Sequence, residues 1–272
     1  MVDIATLLLP GMTLNATIFP STGLPSVEAD FTGLRVSPNG DLPPGVPDGM
    51  ALYAEKLDRL VESHPVWRSA SRRILIGHSF GGMLGLSWLL RHGCRGLAAI
   101  DGMVLVATAA GPMLDSARLR LAKFGSLEWR VGVKRPMRVW NTPVVTRAVK
   151  RLMCRGGLDS RQVDFSRLRN PSDAALGRAG WRNTDWRAMR TFRIAMQGFD
   201  VRDRLAGIPI STIVLHGTED SVLPVEVGKR LADALPHAEL RIVAGAGHGL
   251  PVTHGGEVLA AVRTLRRRME VG

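Results

Sequence analysis

The pentapeptide Gly77-His78-Ser79-Phe80-Gly81 constrains the fold of this chain more than any other stretch. It follows the apolar run Ile74-Leu75-Ile76 and precedes Gly82-Met83-Leu84-Gly85-Leu86-Ser87-Trp88-Leu89-Leu90, which Gly93 closes. A short β-rich run, a G-x-S-x-G turn and an apolar segment of helical length read as strand, sharp turn and helix. Such a turn strains its central residue, and side chains on its flanks would collide with the neighbouring strand and helix. Gly77 and Gly81 leave that room, and Gly82 adds clearance. The turn exposes the Ser79 hydroxyl, and the helix behind it aims its positive end and first N–H groups at any oxyanion formed there. Ser79 is therefore the candidate nucleophile. A glycine-rich turn also contains a serine by chance, so the reading needs partners elsewhere in the chain.

Strand and helix patterns alternate on both sides of this turn. Residues 5–9 read as a buried strand ended by Pro10-Gly11, and residues 31–36 as a short strand. Residues 50–62 carry Leu52, Leu57, Leu60 and Val61 at helical spacing. Residues 102–107 form another apolar strand. After an interruption the alternation resumes with a strand at 209–216, a helix at 225–235, a strand at 240–243 and a helix at 257–269. Strands separated by helices imply a mostly parallel sheet covered on both faces.

The interruption spans residues 112–200. Helical pieces fit 114–124, 144–153 and 181–196, and the span holds Phe124, Trp129, Trp140, Phe165, Trp181, Trp186, Phe192 and Phe199. The expected organisation is thus a core of residues 1–111 and 201–272 with a helical, Arg-rich cap at 112–200, whose apolar lining suits a small-molecule pocket. A helical mini-core with a solvated basic surface fits the same residues. The span contains 16 Arg and 3 Lys against 7 acidic residues, so it carries the whole net charge of +12. Such a field attracts an acidic partner, for which an acyl carrier protein or coenzyme A is the candidate. No nucleic-acid recognition motif accompanies the arginines, and nucleic acid is not expected as a partner.

Cys94 and Cys154 are too few for a disulfide framework, and the seven histidines show no metal-ligand spacing, so neither a metal nor another cofactor is expected. No apolar run approaches the roughly 20 residues of a membrane helix, and Met1-Val2-Asp3-Ile4 lacks the basic start of a secretory signal. The expected location is the cytoplasm.

A serine hydroxyl needs a base within hydrogen-bond reach, and the base needs an acid that fixes its tautomer. Asp220 and His248 occupy the loops after two successive strands, on the sheet edge where the turn at Ser79 also lies. Glu219 competes for the acid role and His254 for the base role. His64, His78, His92, His216 and His237 read as packed or solvated. The loop Gly11-Met12-Thr13-Leu14-Asn15 follows the first strand, where the Met12 N–H could join that of Phe80 in an oxyanion hole. The same residues also suit a plain surface turn.

Four segments, PGMTLN, GHSFGG, LHGTEDSVLP and AGAGHGLP, make this chain resemble the α/β-hydrolase superfamily along most of its length. Within it, the loop at Gly11 is similar to that of small carboxylesterases and thioesterases of the pimeloyl-carrier-protein methyl ester esterase type. The resemblance implies an α/β-hydrolase fold and hydrolysis of a carboxylic ester or thioester through an acyl-enzyme, with Ser79, His248 and Asp220 as triad and Met12 and Phe80 as oxyanion donors. The first strand begins within ten residues, so a sheet of about six strands, without the usual N-terminal hairpin, is expected instead of eight. The loop also has Pro10-Gly11 where relatives have His-Gly. An acyltransferase or a carrier-protein or coenzyme A thioesterase would use the same triad, and a non-catalytic ligand-binding homologue would keep the sheet.

Overall fold

The computed structural model describes residues 3–30, 49–92, 99–111, 144, 164–168, 171–184, 188, 191–192, 195–196 and 199–271. Its centre is a parallel sheet of strands β1 (Ile4–Leu9), β2 (Ser26–Glu28), β3 (Arg72–His78), β4 (Gly102–Val106), β5 (Ser211–Gly217) and β6 (Ala238–Val243), in the spatial order β2-β1-β3-β4-β5-β6. β1 and β4 are buried along their whole length, as strands covered on both faces must be. Side chains alternate between the two faces. Leu75, Met103 and Leu105 enter one core, whereas Ile74, Ile76, Val104 and Val106 enter the other.

Helices α1 (Gly49–Ser63), α2 (Pro65–Ser69), α3 (Phe80–His92) and α5 (Val225–Ala234) border the first core. Met50, Tyr53, Ala54, Leu57 and Val61 make the buried stripe of α1 at three- and four-residue spacing. The opposite face is closed by α7 (Gly255–Val271), through Val258, Ala261, Val262 and Leu265. Full burial of a leucine such as Leu57 or Leu265 contributes about 1.5–3 kcal/mol. A one-turn helix α6 (Leu250–Thr253) precedes α7.

The expected strand at 31–36 lies outside the described residues. The edge position beside β1 is taken by Ser26–Glu28, a three-residue strand too short to show a pattern. Of the interrupting span, the expected helices at 114–124 and 144–153 lie outside the described residues apart from Val144, which is helical. Of the helix expected at 181–196, residues 181–183, 188, 191–192 and 195–196 are helical; the first three end α4 (Asp173–Asn183), which starts eight residues before the expected helix. Its start is set by Ser172, whose Oγ accepts the Ala175 N–H at 3.3 Å as an N-cap. Phe165, Phe192 and Phe199 are buried in the two cores. From β1 the chain passes first to β2 on one side and later to β3 on the other. Ligand sites of open parallel sheets form at the carboxyl ends of strands beside such a reversal, and β3 ends at the Ser79 turn.

Candidate active site

Ser79 stands between β3 and α3 with φ +51°, in the left-handed region. That conformation costs a residue with a side chain about 1–3 kcal/mol. Hydrogen bonds hold it in place: Ser79 N–H donates to Val106 O at 2.9 Å, and Ser79 O accepts from Thr108 Oγ1 at 2.6 Å and Gly82 N at 3.1 Å. The flanking glycines act as clearance. A Cβ on Gly77 would lie 2.7 Å from Gly82 Cα, and one on Gly81 would lie 2.0 Å from Leu9 O.

Asp220 follows β5 and His248 follows β6. The Asp220 Oδ2–His248 Nδ1 distance is 2.8 Å, and the His248 Nε2–Ser79 Oγ distance is 2.9 Å. A carboxylate at Nδ1 keeps the proton on that nitrogen and leaves the Nε2 lone pair facing the hydroxyl. Asp220 Oδ1 accepts the amides of Val222 at 2.8 Å and Leu223 at 2.7 Å, which orients the carboxylate before any substrate arrives. Burial opposes its ionisation, but donors from His216, His248 and the Leu223 amide outweigh this and hold its carboxyl well below the usual carboxylate range. His216 is fully buried; its Nε2 lies 3.0 Å from Leu223 O and 3.4 Å from Asp220 Oδ2, so its proton is aimed mainly at the carbonyl.

The remaining candidates separate cleanly. Glu219 is exposed, with its amide on Ala246 O. His254 Nδ1 is 2.9 Å from Thr253 Oγ1, whereas the ring beside Ser79 Oγ is that of His248. His64 precedes α2, and His237 is exposed. His78 is buried under the turn and donates from Nε2 to His248 O at 2.8 Å. Burial first, and the neighbouring His248 second, push its pKa down to about 3. His78 is thus a neutral strut beneath the loop that carries His248.

Met12 lines the cavity above Ser79, and the next residue, Thr13, is held at φ +67°. Phe80 opens α3, so its amide belongs to the helix turn that adjoins Ser79. Its ring turns the other way, 5.1 Å from Tyr53 and 4.9 Å from Phe192, centre to centre. The cavity measures about 190 Å³, and Met12, Leu14, Leu176, Met196 and Val222 give it a mostly apolar wall around Ser79 and His248.

Two residues of the site have no mark in the sequence pattern. Thr108 braces the Ser79 carbonyl from the loop after β4. Asp173, on the first turn of α4, reaches the loops of both Asp220 and His248. The Ser172-Asp173 cap could have located α4, but not those partners. Among the described residues no group of three or more His, Cys, Asp or Glu is placed to hold a metal, and no helix is long and apolar enough to cross a membrane. Cys94 and Cys154 lie outside the described residues.

Known proteins resemble this chain in sequence and in fold. The proline iminopeptidase of Levilactobacillus brevis is 27% identical over 180 residues, 64% of this chain and 58% of that protein. The match therefore spans less than two thirds of the iminopeptidase. A putative carbamate hydrolase, RutD of Cronobacter turicensis, is 24% identical over 79% of this chain and 72% of its own length. Among solved structures, the esterase RhEst1 from a Rhodococcus species superposes with a TM-score of 0.61 at 20% identity, over 97% of this chain and 90% of the esterase. A thermophilic esterase from Thermogutta terrifontis gives 0.61 at 20% identity over 98% and 90%. Those two likenesses concern the fold alone. The alpha/beta hydrolase family profile matches residues 7–262, from within β1 to within α7, and on that match this chain belongs to the alpha/beta hydrolase family.

Proposed function

We propose that the chain is a serine hydrolase that cleaves a carboxylic ester or thioester through an acyl-enzyme. The observation that carries this reading is the unbroken contact from Asp220 through His248 to a serine in a left-handed turn on the wall of an apolar cavity. Ser79 Oγ attacks the substrate carbonyl while His248 Nε2 takes its proton, and Asp220 stabilises the resulting imidazolium. The Phe80 and Met12 amides receive the oxyanion. His248 then protonates the leaving alcohol or thiol, and water repeats the sequence on the acyl-serine, releasing acid and restoring the Ser79 hydroxyl.

Residues 112–200 act as a cap in this reading and supply Leu176 and Met196 to the wall that holds the acyl group. The names of the relatives support carbonyl-directed hydrolysis and widen the panel to anilides and carbamates. The basic excess of the cap supports a carrier-bound or coenzyme A thioester as an alternative to a free ester, within the same chemistry.

One experiment tests these points. Initial rates are compared on one acyl chain presented as a simple ester, an anilide, a carbamate, a coenzyme A thioester and a carrier-protein thioester, at low and high salt. Ser79→Ala serves as control, alongside fluorophosphonate labelling. Hydrolysis and labelling that both vanish in Ser79→Ala support the serine hydrolase. A salt-sensitive preference for the anionic carriers assigns the cap charge a docking role, and salt-insensitive rates remove it. Faster acyl transfer to an added amine or alcohol than to water makes the protein an acyltransferase. A chain that neither labels nor turns over any substrate is a binding homologue, and the proposal falls.

A further inference from the structure

Helix α4 belongs to the segment that interrupts the sheet, yet its first turn is wired into the catalytic loops. Asp173 Oδ2 accepts two hydrogen bonds from Ser221, from the amide at 3.1 Å and from Oγ at 2.8 Å. Ser221 is the residue after Asp220. The other oxygen, Oδ1, accepts the amide of Gly249 at 2.9 Å, and Gly249 is the residue after His248. One carboxylate therefore bridges the loop that carries the acid and the loop that carries the base, on the side facing the cavity.

The loop of His248 is shaped to receive α4. A Cβ at Gly247 would lie 2.7 Å from Asp173 Oδ1, and one at Gly249 would lie 2.2 Å from Leu176 Cδ1. Neither glycine has a positive φ. They are needed for clearance rather than for an unusual backbone, so the Gly-His-Gly sequence is a docking surface for one helix turn. The far end of α4 meets the third loop of the site. A Cβ at Gly180 would lie 2.4 Å from Thr13 Oγ1, and Thr184 Oγ1 donates to Thr13 O at 3.5 Å. Burial opposes ionisation of Asp173, but the amides of His248, Gly249 and Ser221 and the Ser221 hydroxyl overcome it and keep the carboxyl below its ordinary range. A lone pair of an ionised carboxylate suits each of these donors, and such charge-assisted bonds are stronger than neutral ones.

We propose that Asp173 is a positioning residue that holds the Asp220 and His248 loops in register, so that the catalytic arrangement is complete only while α4 is docked. The proposal rests on the Ser79-His248-Asp220 reading for its effect on rate, but not for its effect on the loops. It gives the interrupting segment a second task besides lining the cavity. When α4 lifts, the two loops lose their shared anchor and the imidazole loses its fixed distance to both neighbours.

The test uses the full chain with Asp173→Ala, Asp173→Asn and Ser221→Ala. Three assays are used: steady-state kinetics (kcat and KM) on 4-nitrophenyl acetate, too small to need the cavity wall; the downfield proton resonance of His248 Nδ1–H; and hydrogen exchange at the amides of Ser221 and Gly249. Misplacement of the imidazole on the ångström scale lowers kcat of Asp173→Ala by about 10²-fold, with KM near its original value. The downfield resonance broadens, and the two amides exchange about tenfold faster or more while those of β5 stay protected. Asp173→Asn keeps one acceptor oxygen and recovers part of each signal. Ser221→Ala leaves α4 untouched and gives a smaller loss in the same direction, which decides the matter if Asp173→Ala does not fold. Unchanged kcat with an unchanged resonance overturns the proposal, as does a rise in KM alone, which would make Asp173 a substrate contact. If the wild type neither hydrolyses nor labels, the hydrolase reading falls, while amide exchange still decides whether Asp173 joins the loops.

Discussion

His78 gives the fold a specific sensitivity to acid. It is buried beneath the Ser79 turn, donates its Nε2 proton to His248 O, and has a pKa pushed from the ordinary 6.5 to about 3. Above pH 6.5 neither folded nor unfolded chain binds a proton at this residue, and it adds no pH dependence. Between 6.5 and about 3 the unfolded chain takes up the proton and the folded one does not, so stability falls as pH falls. Each pH unit in that window is worth about 1.4 kcal/mol, so going from pH 6.5 to 5 removes about 2 kcal/mol. That is a substantial part of the 5–15 kcal/mol typical of a folded domain. His78→Gln keeps an N–H donor for His248 O and cannot ionise. Urea denaturation of both proteins at several pH values from 7.5 to 5 reads the difference directly, because most other titrating groups cancel. The expected result is a wild-type stability that declines more steeply below pH 6.5, with the two proteins parallel above it. Equal slopes down to pH 5 would show that His78 takes up its proton in the fold and would refute the argument.

Further outcomes follow from the same geometry. Ser79→Gly relieves the left-handed strain that Ser79→Ala retains, so urea or thermal unfolding should find the glycine variant more stable by about 1 kcal/mol, with both inactive. Asp220→Asn leaves the Val222 and Leu223 amides an acceptor but loses the charge that fixes the His248 tautomer; kcat on a simple ester should drop by about 10⁴-fold with retained secondary structure by circular dichroism. Gly81→Ala forces a Cβ to within 2.0 Å of Leu9 O, a backbone atom of the central sheet, and should cost at least about 3 kcal/mol in urea unfolding or prevent soluble expression.

Much of the architecture is written in local patterns. The strand, turn and helix around Ser79 follow from three glycines and two apolar runs, because sterics within a few residues leave no other compact solution. The buried strands are legible for a similar reason, since covering a parallel sheet on both faces demands continuous apolar runs. Asp220 and His248 could be placed because each directly follows a strand, and loops at the carboxyl ends of parallel strands share one edge.

Other features depend on distance through space and leave no such trace. β2 is three residues long, below the length at which alternation can be recognised, and its place is fixed by its ladder with β1. His78 reads as a bystander in the motif, and its bond to a carbonyl 170 residues away appears only when the sheet brings the loops together. Asp173 is the clearest case. Its partners are mainly backbone amides 48 and 76 residues along the chain, and an amide has no side-chain identity for a sequence pattern to record. Steric and hydropathic rules act between near neighbours and so are readable along the chain, which is how the elbow, the layers and the order Ser79, Asp220, His248 emerge. The alignment of those three groups to within hydrogen-bond distance, and the helix that braces their loops, come from packing between segments far apart in sequence.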